Sequence, residues 1–139
     1  MENLYLSSKE KIFYRKANFK KDKNRQTLVF LHGHMGSSSA WIPYEKMLKK
    51  YNVISVDLRG NGKSFRPEYY EGYEIDQFAD DIYKILKKEG IGKIIFISHC
   101  YGNLVSIRFF IKHKQMVEGI VFISSYANQS ERSILKSVF

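Results

Sequence analysis

Apolar residues along this chain gather in short unbroken runs set between polar, glycine-bearing segments. Thr27-Leu28-Val29-Phe30-Leu31, Val53-Ile54-Ser55-Val56, Lys93-Ile94-Ile95-Phe96-Ile97 and Gly119-Ile120-Val121-Phe122-Ile123-Ser124 are rich in β-branched residues, with apolar side chains at odd and even positions alike. That pattern belongs to strands buried on both faces of a parallel sheet. Between the second and third runs the period changes. Ile75, Phe78, Ala79, Ile82, Ile85 and Leu86 recur at helical spacing, with Asp76, Asp80, Lys84 and Lys87 outside, which predicts an amphipathic helix over 73–88. After the third run, Leu104, Val105, Ile107, Arg108, Phe109, Ile111 and Lys112 predict a second, largely buried helix with a polar outer edge. Strands alternating with helices give an α/β fold: a mostly parallel sheet with helices on both faces. Leu4–Leu6 and Lys11–Ala17 read as a short antiparallel hairpin at the sheet edge.

Candidate chemistry sits where the runs end. Ser98-His99-Cys100-Tyr101-Gly102 lies between an apolar strand and a helix, the setting of a nucleophile elbow, G-x-S-x-G, in which a strained turn presents the reactive side chain. Cys100 takes the nucleophile's place, Gly102 keeps the second small position, and Ser98 replaces the first glycine. The alternative is that Cys100 is a small buried hydrophobe, as many free cysteines are. The first run leads into His32-Gly33-His34-Met35-Gly36-Ser37-Ser38, a glycine-rich turn followed by a serine cluster that predicts a helix start. The second closes on Asp57-Leu58-Arg59-Gly60-Asn61-Gly62-Lys63-Ser64.

In this order, H-G-x-x-G, D-x-R-G-x-G-x-S and an elbow resemble the α/β-hydrolase family, over roughly residues 27 to 126. The resemblance implies Cys100 as nucleophile and the backbone N–H groups of His34 and Tyr101 as an oxyanion hole. Such preorganised donors stabilise the charge of an acyl-transfer intermediate by several kcal/mol. His32, Gly33, Gly36, Asp57, Arg59, Gly60, Gly62, Ser98, His99 and Gly102 would shape the site and not react. The implied activity is hydrolysis of an ester, thioester or lactone bond in a small acyl substrate, with no cofactor. Two alternatives stay open: a degenerate member that binds a ligand or partner without turnover, and an acyltransferase, which differs in acceptor alone. A helix N-terminus behind Cys100 would sharpen the reactivity of its thiol.

The other histidines offer no general base. His32 belongs to the turn it would prop, His99 should face away from Cys100 by strand alternation, and His113 lies thirteen residues along the helix, about 20 Å away. In the family the acid and the histidine follow the nucleophile on later loops. After Cys100 the chain offers Glu118 and Glu131 as carboxylates and His113 as imidazole, with Glu118 at the wrong end of its strand. The 139 residues therefore read as one truncated core: 1–26 an edge hairpin and basic loop, 27–126 the motif-bearing core, 127–139 the possible start of a cap. Such a core lacks the last strands. It leaves the strand 120–123 as an exposed apolar edge, which is expected to self-associate or to pair with a missing C-terminal part.

Charge and cysteine content narrow the remaining classes. A net charge of +9 invites nucleic-acid binding, but the cations are spread over turns and helix exteriors. Their one cluster, Arg15-Lys16 with 20–25, accompanies no nucleic-acid module. His32 and His34 lack the further ligands a zinc site needs. A single cysteine excludes an internal disulfide, and no stretch reads as a signal peptide or membrane span, so neither nucleic acid nor membrane is an expected partner. A cytoplasmic location is the default expectation.

Overall fold

The computed structural model describes residues 2–5, 11–20, 22 and 25–124. Six strands form one sheet: β1 (Glu2–Tyr5), β2 (Phe13–Ala17), β3 (Thr27–Leu31), β4 (Asn52–Val56), β5 (Ile94–His99) and β6 (Val117–Ile123), in the order β1-β2-β4-β3-β5-β6. The expected hairpin is present at one edge, with β1 and β2 antiparallel to each other and β2 antiparallel to β4. The remaining pairings, β3 with β4, β3 with β5 and β5 with β6, are parallel. Residues 127–139, read as the start of a cap, lie outside the described residues, as does Leu6.

Side-chain parity on β3 shows how the strands build two cores. Val29 and Leu31 turn to one face, where Ile54, Val56, Ile94 and Phe96 meet helices α2 (Ile75–Lys88) and α3 (Tyr101–His113). Leu28 and Phe30 turn to the other, against Val53, Ala17 and Trp41, where the short helix α1 (Ile42–Met47) follows a 3-10 turn at Ser38–Trp41. Helices thus cover both faces, unequally. On the first face Phe78, Ala79, Ile82, Ile85 and Leu86 of α2 are buried, each large aliphatic contributing about 1.5–3 kcal/mol of burial. Phe109 of α3 meets Phe96 edge to face at 5.2 Å. On the second face an apolar cleft of about 310 Å³ stays open beside α1, with Phe30, Trp41, Ile95, Ile97 and Ile123 among its lining residues.

Three features depart from the sequence pattern. The helix expected from residue 73 begins at Ile75, because Glu74 is extended (ψ 141°) and Tyr70–Tyr73 forms a separate 3-10 turn. α3 is less buried than its composition predicts, with Leu104 41 % and Ile111 47 % exposed. Asp81, on the buried face of α2, breaks the apolar pattern for a reason: its carboxylate accepts two hydrogen bonds from Arg59, at 2.8 Å each, with both side chains almost fully buried. The third arm of the guanidinium donates to the Gly72 carbonyl at 2.8 Å. One arginine thereby fixes the loop after β4 to α2 and to the turn before it. On the open side of the helix pair, Arg108 and Lys112 of α3 hold Asp76 of α2, whose pKa falls to about 2 chiefly through the Arg108 hydrogen bond.

β6 ends the sheet with Val121, Phe122 and Ile123 all exposed. Among the described residues no strand pairs its outer edge, and no helix is long and apolar enough to cross a membrane.

Removing one partner of a buried bidentate pair leaves a charge uncompensated, at a cost of about 3–5 kcal/mol. Asp81→Ala is expected to lower unfolding free energy in urea by that amount; a loss below about 1 kcal/mol would mean the pair contributes no more than a surface one.

Candidate active site

The chain order of the strands reverses at β3: β4 is laid on one side of it and β5 on the other. At such a switch point the loops leaving the two strands part and open a crevice at their carboxyl ends. The turn after β3 and the residues after β5 both empty into that crevice, and they carry the first and third motifs.

Cys100 stands between β5 and α3 with φ 50° and ψ −112°, a left-handed backbone that a non-glycine residue adopts only when its surroundings enforce it. The enforcing contacts are visible. The Cys100 N–H donates to the Ile123 carbonyl of β6 at 3.1 Å, and its carbonyl accepts the Asn103 N–H at 3.0 Å. Gly102 is packed so tightly that an added Cβ would stand 2.8 Å from the Leu31 carbonyl oxygen and 2.9 Å from that of His32. Only a residue without a side chain lets α3 begin this close to β3. The Cys100 side chain is half-buried.

Ser98 is fully buried, and its hydroxyl pairs with that of Ser106 on α3 at 3.1 Å. This is how the elbow accommodates serine in place of its first glycine. Ser106, one α-helical turn past Gly102, also donates to the Asn103 carbonyl at 2.8 Å, and nothing in the strand pattern singles it out.

The turn after β3 is closed by the Gly36 N–H donating to the Gly33 carbonyl at 3.1 Å, with His34 and Met35 exposed at its tip and Met35 at φ 56°. Tyr101 is the first residue of α3, so its N–H has no acceptor within the helix. The rings of His34 and Tyr101 meet edge-on at 6.4 Å across the mouth, and Tyr101 also packs on Phe78 of α2 at 5.6 Å.

His99 keeps the strand alternation of β5, on the same face as Ile95 and Ile97. Gly33 of the turn after β3 packs against the end of this strand: a Cβ built on it would lie 2.7 Å from His99 Nδ1 and 3.2 Å from the Cys100 Cβ.

His32 is buried and fastens two loops. Its Nδ1 donates to the Gly33 carbonyl at 2.7 Å and its Nε2 accepts the Leu58 N–H at 2.9 Å, which requires the neutral ring. Burial lowers its pKa below the ordinary 6.5, against the opposing pull of the Gly33 bond and the Asp57 charge. Asp57 binds both neighbouring loops, accepting the Ser38 N–H at 2.5 Å and the Lys63 N–H at 2.8 Å. The serine cluster therefore does not cap the turn with its own hydroxyls; the Asp57 carboxylate, just after β4, takes that role. Gly62, at φ 53°, lies where a Cβ would collide with that carboxylate, and Gly60, at φ 80°, stands under the Tyr73 ring.

His113 lies at the far end of α3, stacked on Tyr83 at 4.2 Å, and Glu118 is exposed at the start of β6, opposite the crevice. Among the described residues no group of three or more His, Cys, Asp or Glu is placed to hold a metal ion.

A family model for the alpha/beta hydrolase fold matches residues 26–137. The chain belongs to this family. Epoxide hydrolase 1 of Caenorhabditis elegans is 26 % identical over 99 residues, covering 70 % of this chain and 24 % of its own. The 2-(acetamidomethylene)succinate hydrolase of Mesorhizobium japonicum (strain LMG 29417 / CECT 9101 / MAFF 303099) is 31 % identical over 97 residues, covering 69 % and 34 %. Among solved structures, that of Est816, described as an N-acyl homoserine lactone degrading enzyme, superposes with a TM-score of 0.74 at 25 % identity over 89 % of this chain and 45 % of that one. The chain thus spans a quarter to a third of these curated hydrolases.

A neutral buried histidine makes stability depend on pH. With the folded pKa below 6.5, the unfolded chain binds the proton more readily, so stability falls as pH drops below about 6.5. The urea midpoint is expected to decline from pH 7 to about 5.5, and His32→Asn to flatten that slope; an equal slope in both proteins would place the titration elsewhere.

Proposed function

We propose that this chain carries the nucleophile of an acyl hydrolase acting on an ester, thioester or lactone through Cys100. The observation that carries the reading is the left-handed Cys100 at the crevice between β3 and β5, with α3 beginning directly behind it. In this scheme the thiolate sulfur attacks the carbonyl carbon and the π electrons move to oxygen. The N–H groups of Tyr101 and His34 receive that oxyanion. Its collapse breaks the bond to the leaving oxygen or sulfur, which takes up a proton, and water then cleaves the enzyme thioester to release the acid and restore the thiol.

A base must take the proton from water in the second step. Among the described residues after β5 the one imidazole, His113, and the one carboxylate, Glu118, both stand away from the crevice. Polypeptide pairing along β6 would supply the acid and histidine. The exposed Val121, Phe122 and Ile123 and the apolar cleft that Ile123 also lines support pairing there. A ligand-binding role without turnover is the second reading, favoured by the same want of a base.

Incubation with p-nitrophenyl acetate and peptide mass spectrometry tests the first step. The expected result is an acetyl group on Cys100, absent in Cys100→Ala and slow to hydrolyse. Labelling confined to lysines would reject the nucleophile, and release hastened by an added alcohol or amine but not by water would identify an acyltransferase. For the edge, sedimentation is expected to show association that Phe122→Lys weakens; a monodisperse monomer would count against pairing along β6.

A further inference from the structure

Three residues past the thiol, the first turn of α3 holds a polar side chain that no part of the chemistry above uses. Asn103 is 4 % exposed. Its Nδ2 donates to the Ile123 carbonyl at 3.3 Å, the same oxygen that accepts the Cys100 N–H at 3.1 Å. Its backbone N–H returns to the Cys100 carbonyl at 3.0 Å. Asn103 therefore holds the Cys100 residue from both sides, directly at its carbonyl and through a shared oxygen at its N–H. Turning the amide over would set two carbonyl oxygens against each other, so the network itself fixes Nδ2 toward Ile123.

The side chain gains nothing from its other atom. Oδ1 is buried and has no hydrogen-bond partner among the described residues, and a buried acceptor left unpaired opposes folding. Asparagine is also an indifferent helix former. The bond from Nδ2 to Ile123 is thus what the side chain contributes, and it falls at the carboxyl end of β6, a strand whose outer edge is unpaired among the described residues.

We propose that Asn103 is the positioning residue of the elbow: it ties the last carbonyl of β6 to α3 and so holds the Cys100 peptide in its left-handed conformation. The direction of the thiol then depends on how the end of β6 is held. The functional meaning of the tie rests on Cys100 being the nucleophile; the tie itself is readable without turnover.

Hydrogen exchange of the chain as it stands, followed by NMR, decides it. In the unmodified protein the Cys100 N–H and one Asn103 side-chain amide proton are expected to exchange slowly. Asn103→Ala should hasten exchange at Cys100 by about tenfold, the worth of one net hydrogen bond, while Phe30 and Phe96 keep their protection and iodoacetamide labels Cys100 more slowly. Asn103→Asp preserves the shape but can donate only when protonated, so protection at Cys100 should be lost at neutral pH and return on acidification, after correction for intrinsic exchange. Should Asn103→Ala fail to fold, the unmodified protein and Asn103→Asp still decide. Free exchange of both Asn103 side-chain protons, or unchanged Cys100 exchange in the variants, overturns the tie. Normal protection with a thiol no more reactive than free cysteine upholds the tie and rejects the nucleophile instead.

Discussion

The closeness of α3 to the end of β3 is the constraint on which the crevice depends. A helix that starts within 3 Å of the carbonyls of Leu31 and His32, measured from where a Cβ would be, has no room for a side chain at its second residue. That approach leaves Cys100 a single sharp path from strand to helix, which is the source of its positive φ. It also brings the N–H of Tyr101, which has no acceptor within the helix, to the crevice. Gly102, Cys100 and the turn after β3 are one geometric solution, and altering any of them displaces the others.

Buried charge does for the surrounding loops what glycine does for the elbow. Arg59 with Asp81 and Arg15 with Glu45 are both nearly closed to solvent, and each joins segments distant in sequence. Such pairs add little net stability over well-packed apolar residues. What they give here is placement: Arg59 locates the loop after β4 against α2, and Glu45, which also accepts the Ser55 hydroxyl at 2.8 Å, locates α1 against β2 and β4.

The strands and the long helices were legible in the sequence because they rest on periodicity, a local property of consecutive residues. The loop motifs were legible because glycines cluster where backbones must turn or approach. Asp81, Glu45, Ser106 and Asn103 were not, since each draws its meaning from a partner on another element: Arg59, Arg15, Ser98 and Ile123. Their only trace is a polar residue on a face that periodicity makes apolar, a signal that marks burial without naming the partner.

Asp57 has a mechanical consequence. One carboxylate receives the backbone of the turn leading to α1 and, with its other oxygen, that of the loop after β4, while His32 clasps that loop from the β3 side. Two walls of the crevice are therefore locked into one block. Any widening of the crevice to admit a bulky group must come from the exposed His34–Met35 tip or from whatever lies against β6. The width of the opening is set on those two sides.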